Sequence, residues 1–185
     1  MDKNDHENDH KKDHILLTCA GGQLLLPAVP MLDGADGGHL MVLPPRPVWD
    51  RTALTASELA RWSALIASAA TAMLEELPQL RGGCINYWDA GNWALNDAAA
   101  PLGRKTGEAF RKLHMHLLGR SPTAQDPAWR WGESPRFPDF SERMARVNQY
   151  QPLTAEECAR IVQRTRSVLQ GKYNLQERQE NMVSP

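Results

Sequence analysis

The sequence predicts an α+β fold: an antiparallel sheet of about five strands with a long helix on one face, then an irregular segment and a C-terminal helix. Three observations lead there. Short apolar runs broken by Gly or Pro crowd residues 15–45. A capped run with apolar residues three or four apart fills 55–77, and a second capped run opens at Thr154. Short connections before the first helix favour antiparallel pairing.

Residues 3–14 repeat a four-residue unit, KNDH, ENDH, KKDH, which would line up His6, His10 and His14 on one helix face. That spacing suits a transition metal. Nothing apolar is available to bury, however, so a solvated, disordered tail over 1–14 is expected. ILLTC and QLLLPAV read as two strands joined at Gly21-Gly22. Pro27 and Pro30 break that pairing, MLDGADGG is a loop, and HLMVLPP is a third strand ended by Pro44 and Pro45. Thr55 and Glu58 form a T-x-x-E capping box for a helix to about residue 77, stopped by Pro78. CINYW is a fourth strand, residues 89–107 a long loop, and FRKLHMHLL at 110–118 a fifth strand ended by Gly119. Residues 121–153 are rich in Pro and aromatics, with Trp129, Trp131, Phe137 and Phe140 expected to pack on the core. Thr154 and Glu157 form the second T-x-x-E box, opening a helix to Gln170 and Gly171.

Composition limits the partners. In 185 residues, 21 Lys and Arg nearly balance 22 Asp and Glu, for a formal charge of −1. A duplex-coating protein needs a basic excess, so this charge argues against one and no nucleic-acid partner is expected. No apolar run approaches the roughly 18–20 residues that span a bilayer, and the hydrophilic N-terminus lacks a signal-peptide core. Cys19, Cys84 and Cys158 are far apart and form no CxxC pair, so free thiols in a reducing cytoplasm are expected.

The chemistry concentrates on the fifth strand. Alternation puts Lys112, His114 and His116 on one face and Leu113, Met115 and Leu117 on the other. Two imidazoles and an ammonium on a rigid strand suit a phosphate. An imidazole there can be a nucleophile, a donor or an acid–base group. On spacing alone, zinc ligation and ordinary surface histidines stay open.

FRKLHMHLLGR resembles the signature of the histidine triad nucleotide-binding superfamily, His-φ-His-φ-His-φ-φ followed by Pro or Gly and often Arg. HLLGR places His116 at the third histidine and His114 at the second; Lys112 replaces the first. GGHLMVLPPRPVWDRTALTASELARW is similar to the family's upstream block, with His39 at its supporting histidine. NYWDAGNWALND resembles the Asn- and Gly-rich loop by the nucleotide, and in GEAFRK Glu108 stands where many members have Gln. The resemblance covers roughly residues 15–120 and leaves 121–185 as an extension.

The resemblance implies a diadenosine-polyphosphate-hydrolase-like enzyme that cleaves a nucleoside phosphate derivative at its α-phosphate. His114 would be the nucleophile and His116 its catalytic partner. Lys112, Asn92, Asn96, Glu108 and Arg120 would bind substrate, with His39 supporting. Arg46 is a further basic candidate. Met31 stands where many members have a polar residue for the ribose hydroxyls, and nearby Asp33 could take that role. Trp88 or Trp93 would be a platform for the base. No metal or cofactor is implied, beyond a divalent cation carried by a polyphosphate. The partners implied are a small-molecule nucleotide and a second copy of the chain, with no membrane. A nucleotide-binding module without efficient chemistry is the alternative.

Overall fold

The computed structural model describes residues 12–137, 139, 141–142 and 149–175. His6 and His10 of the N-terminal repeat, and Phe140, lie outside the described residues. Strands β1 (His14–Cys19) and β2 (Gly22–Leu26) form a hairpin. The turn needs glycine at position 22, where φ is +124° and a Cβ would stand 2.0 Å from the Leu43 carbonyl. Pro27 follows β2, with no N–H to donate. His14, assigned above to the tail, pairs with Leu26 in β1.

Strand β3 (His39–Leu43), helix α1 (Ala56–Glu76) and strand β4 (Cys84–Ala90) follow. After a one-turn helix, α2 (Gly107–Phe110), come strand β5 (His114–Arg120) and helix α3 (Ala155–Tyr173). The five strands form one antiparallel sheet in the order β1-β2-β3-β5-β4. The last strand in sequence thus lies inside the sheet, between β3 and β4, where its side chains are held from both sides.

Strand alternation divides the molecule. Leu17, Leu24, Leu40, Val42, Met115 and Leu117 face α1, which answers with Trp62, Leu65, Ala69 and Met73 in one core. Ala69, Ala70 and Ala72 are buried along the same helix. Both capping boxes form: Thr55 accepts from the Glu58 N–H and Thr154 from the Glu157 N–H, and each glutamate accepts in return.

Helix α3 packs on α1 and brings Cys158, Ile161 and Leu169 into the same core. Arg164–Glu75 and Arg160–Glu76 ion pairs join the two helices. The helix runs past Gly171, the stop expected from sequence, because Asn174 does the capping. With φ at 52°, Asn174 turns left-handed and its N–H bonds the Gln170 carbonyl. All three cysteines are free, Cys84 exposed and the others buried. Among the described residues no helix is long and apolar enough to cross a membrane.

Candidate active site

The face of the sheet away from α1 carries the histidines. On β5, His114 and His116 alternate with Met115 and Leu117 and point opposite to them. The strand begins at His114, later than sequence reading expects. Residues 107–110 form the single turn of α2, closed by the Arg111 N–H on the Gly107 carbonyl. The Leu113 N–H then bonds the Val48 carbonyl at 2.8 Å rather than a sheet neighbour. Lys112 therefore lies on a link outside the ladder. It still lines the histidine cleft.

His39 comes up beside β5 from β3, where His39 pairs with Leu118 and Met41 with His116. The rings join into a hydrogen-bonded chain. The Met31 N–H donates to His39 Nδ1 at 3.1 Å. A nitrogen that accepts carries no proton, so the His39 proton is on Nε2 and is donated to His116 Nδ1 at 2.7 Å. His116 then carries its own proton on Nε2, which meets His114 Nε2 at 3.1 Å. The other end fixes the same answer. His114 Nδ1 is 2.8 Å from the Lys112 carbonyl, which can only accept. The His114 proton is therefore on Nδ1, and a lone pair remains on Nε2. One backbone N–H and one backbone carbonyl thus set three tautomers.

Burial lowers the pKa of His114 from its ordinary 6.5, partly opposed by the bond to the Lys112 carbonyl and by nearby Asp89 and Asp13. The neutral, nucleophilic form is favoured. Trp88 stacks on His116, with ring centroids 5.2 Å apart and planes at 28°. Trp93 meets Trp88 edge-on at 5.6 Å, and Phe137 packs on Trp88 at 4.5 Å.

These residues open on a cleft of about 510 Å³, lined by His114, His116, Lys112, Asn92, Trp88 and Trp93, with small and apolar side chains between them. Among the described residues no third His, Cys, Asp or Glu completes a metal cage with the pair. The arrangement offers an in-plane nucleophile, an N–H donor beside it and an ammonium: the set that a phosphorus centre with charged oxygens requires.

The other residues singled out from sequence are placed differently. Asn96 turns back on its own loop, its side-chain oxygen accepting from the Ala98 N–H. Glu108 is exposed on α2 and does not line the cleft. Near it in sequence, Lys105 is engaged by the Asn96 and Ala99 carbonyls, and Arg111 by Asp50 and Asp89. Arg120 is buried beyond the cleft, where it binds the carbonyls of Arg130 and Glu133 and holds down the segment after β5. Arg46 is spent on Glu58 and the Ala53 carbonyl, and together with the Thr55 N–H it holds the Glu58 carboxyl down at about 2. Asp33 accepts from the Ala35 and Gln151 N–H groups.

Sequence reasoning passes over Gly91, Phe110 and the two backbone groups that end the imidazole chain. The backbone groups leave no trace in residue identity. Gly91 is signalled only by its place between β4 and the loop.

No protein-family model matches the sequence, and no curated protein does. Among solved structures, a histidine triad (HIT) protein from Sinorhizobium meliloti 1021 is similar to this chain at 18% identity, with a TM-score of 0.45 over 83% of this chain and 90% of that one.

Proposed function

We propose that the protein is a nucleotidyl hydrolase or transferase acting through a nucleotidyl-His114 intermediate. The observation that carries this reading is the imidazole chain: tied at both ends to backbone, it keeps His114 Nε2 unprotonated at the cleft, its lone pair accepting from the His116 N–H until that donor turns to substrate. The motif resemblance of residues 15–120 supports the same assignment.

In the first step His114 Nε2 attacks the α-phosphorus. A nitrogen–phosphorus bond forms and the bond to the leaving group breaks. A phosphate leaving group departs as an anion; an amine leaving group takes up a proton from solvent as its bond to phosphorus breaks. In the second step water attacks the same phosphorus, an oxygen–phosphorus bond forms, and the nitrogen–phosphorus bond breaks with its electron pair returning to His114 Nε2; the proton from water passes to solvent and the nucleoside monophosphate leaves. Splitting the displacement in two lowers each barrier. The His116 N–H swings from His114 to a nonbridging oxygen, while Lys112 and Asn92 hold the phosphate chain. Diadenosine polyphosphates and nucleoside phosphoramidates are the substrate classes to screen.

His114→Ala abolishes turnover over that panel while the circular dichroism spectrum is unchanged; normal release of nucleoside monophosphate by the variant rejects the reading. One observation favours the rival, a binding module with little chemistry. Glu108 lies off the cleft and supplies no donor where related sites have an amide. Calorimetry with AMP beside the release assay separates the two: tight binding without release supports the module, and rapid release rejects it.

A further inference from the structure

The His114 tautomer rests on one carbonyl, and that carbonyl belongs to a link outside the sheet ladder. The link is pinned by a charged cluster. Arg111 Nη1 donates to the Trp49 carbonyl at 2.6 Å and to Asp50 Oδ2 at 3.0 Å. Its Nη2 donates to Asp89 Oδ1 at 3.0 Å. Asp89 stands on β4 and is held in turn by Arg51 Nε at 3.0 Å. Asp50 precedes α1 and is held by the Thr52 N–H at 3.0 Å. The Arg111 side chain is only 13% exposed. Gly91 also borders the link: a Cβ there would stand 2.9 Å from both Arg111 Cγ and the Lys112 carbonyl oxygen. The peptide that receives the His114 proton is thus enclosed by β4, the β3–α1 connection and a glycine.

We propose that Asp50, Arg111 and Asp89 form a positioning clamp for the nucleophile, holding the Lys112 carbonyl against His114 Nδ1–H so that Nε2 keeps its lone pair toward the cleft. None of the three lines the cleft. The task suits arginine. Its planar fork reaches acceptors on two separate elements at once, which a lysine ammonium does not. The clamp also balances charge around the ring. The groups bearing on His114 are Asp89 from β4, Asp13 ahead of β1, Arg111 and Lys112 on the link, and His116 on β5 with His39 behind it. Removing the Arg111 charge leaves both carboxylates, which favours protonation of His114.

The kinetic arm of the test rests on His114 being the nucleophile; the spectroscopic arm does not. Imidazole ¹⁵N shifts of the labelled full chain give the tautomer directly. Wild-type His114 is expected to be Nδ1–H alone. Arg111→Met gives a mixture of tautomers, an acid limb displaced to higher pH, and a fall in kcat of roughly 10- to 100-fold with KM little changed. Arg111→Lys retains the charge without the fork, so it mixes the tautomers and moves the acid limb less. A folded Arg111→Met protein with pure Nδ1–H overturns the clamp. If that variant does not fold, Asp50→Asn/Asp89→Asn takes its place, and an unmixed His114 tautomer in it overturns the clamp equally. Wild type inactive on every nucleotide, but with the expected spectra and mixing, leaves the clamp standing and rejects the enzymatic reading instead.

Discussion

A proton on His114 Nε2 would occupy the electron pair the proposed reaction uses, so the pH dependence of activity follows from one ring. Its ordinary pKa of 6.5 is lowered, chiefly by burial. A lowered value means the neutral ring persists as pH falls through 6.5, and activity is lost only below that. The acid limb of kcat/KM is therefore expected below pH 6.5; a limb centred above it contradicts the nucleophile assignment. His39→Ala should lower kcat by roughly 10- to 100-fold without removing the nucleophile, because His116 loses the donor that fixes its tautomer. Single-turnover kinetics checks this, and unchanged kcat argues against a supporting role. At this scale much of the candidate site was legible: the glycine–histidine block and the alternating histidines mark His39, His114 and His116, the three rings that the fold brings together. The Met31 N–H and Lys112 carbonyl did not appear, because every residue but proline brings both groups.

At the level of elements, period-two alternation separated His114 and His116 from Met115 and Leu117 and was right about their faces. It misplaced the strand's start. FRK continues the alternation, but the α2 turn and the Leu113–Val48 bond take those residues out of the sheet. Tertiary ties override a local pattern here, and no window of sequence contains Val48 and Leu113 together. Gly171 misled for a related reason: glycine often ends helices, but here the left-handed position falls on Asn174. Thr154→Ala is expected to cost about 1 kcal/mol in a denaturant titration with activity unchanged, as for other N-cap losses. Gly91→Ala should depress activity instead. Its φ of +127° is unfavourable for a side chain, and the added methyl would push on the Lys112 carbonyl.

Across the whole molecule, the sheet has α1 on one face and the histidine cleft on the other, and α3 covers α1 from outside. Ile161 is fully buried where α3 meets that core. Ile161→Ala is expected to destabilise by about 2–5 kcal/mol while leaving AMP affinity near wild type in the folded fraction. The homodimer implied by the resemblance is checked by light scattering after size-exclusion chromatography; a monomer mass contradicts it. The segment after β5 is held to the histidine face by the Asp36 carboxylate, which accepts from the Gln125 and Asp126 N–H groups, and by Arg120. Sequence suggested that its aromatics pack: Trp129 is buried and Phe137 lies against Trp88 and Trp129, but Trp131 is exposed, and nothing in the sequence marked Arg120 as an anchor.

The relay of rings has a direction. Because its first donor and last acceptor are both main-chain atoms, it cannot reverse by shuffling protons among side chains. Nor can it absorb an extra proton anywhere along its length without snapping a link. Acidification should therefore unseat a ring as well as quench a reactive atom. Trp88, resting on the middle ring, should report that moment as a change in fluorescence that disappears in Trp88→Phe.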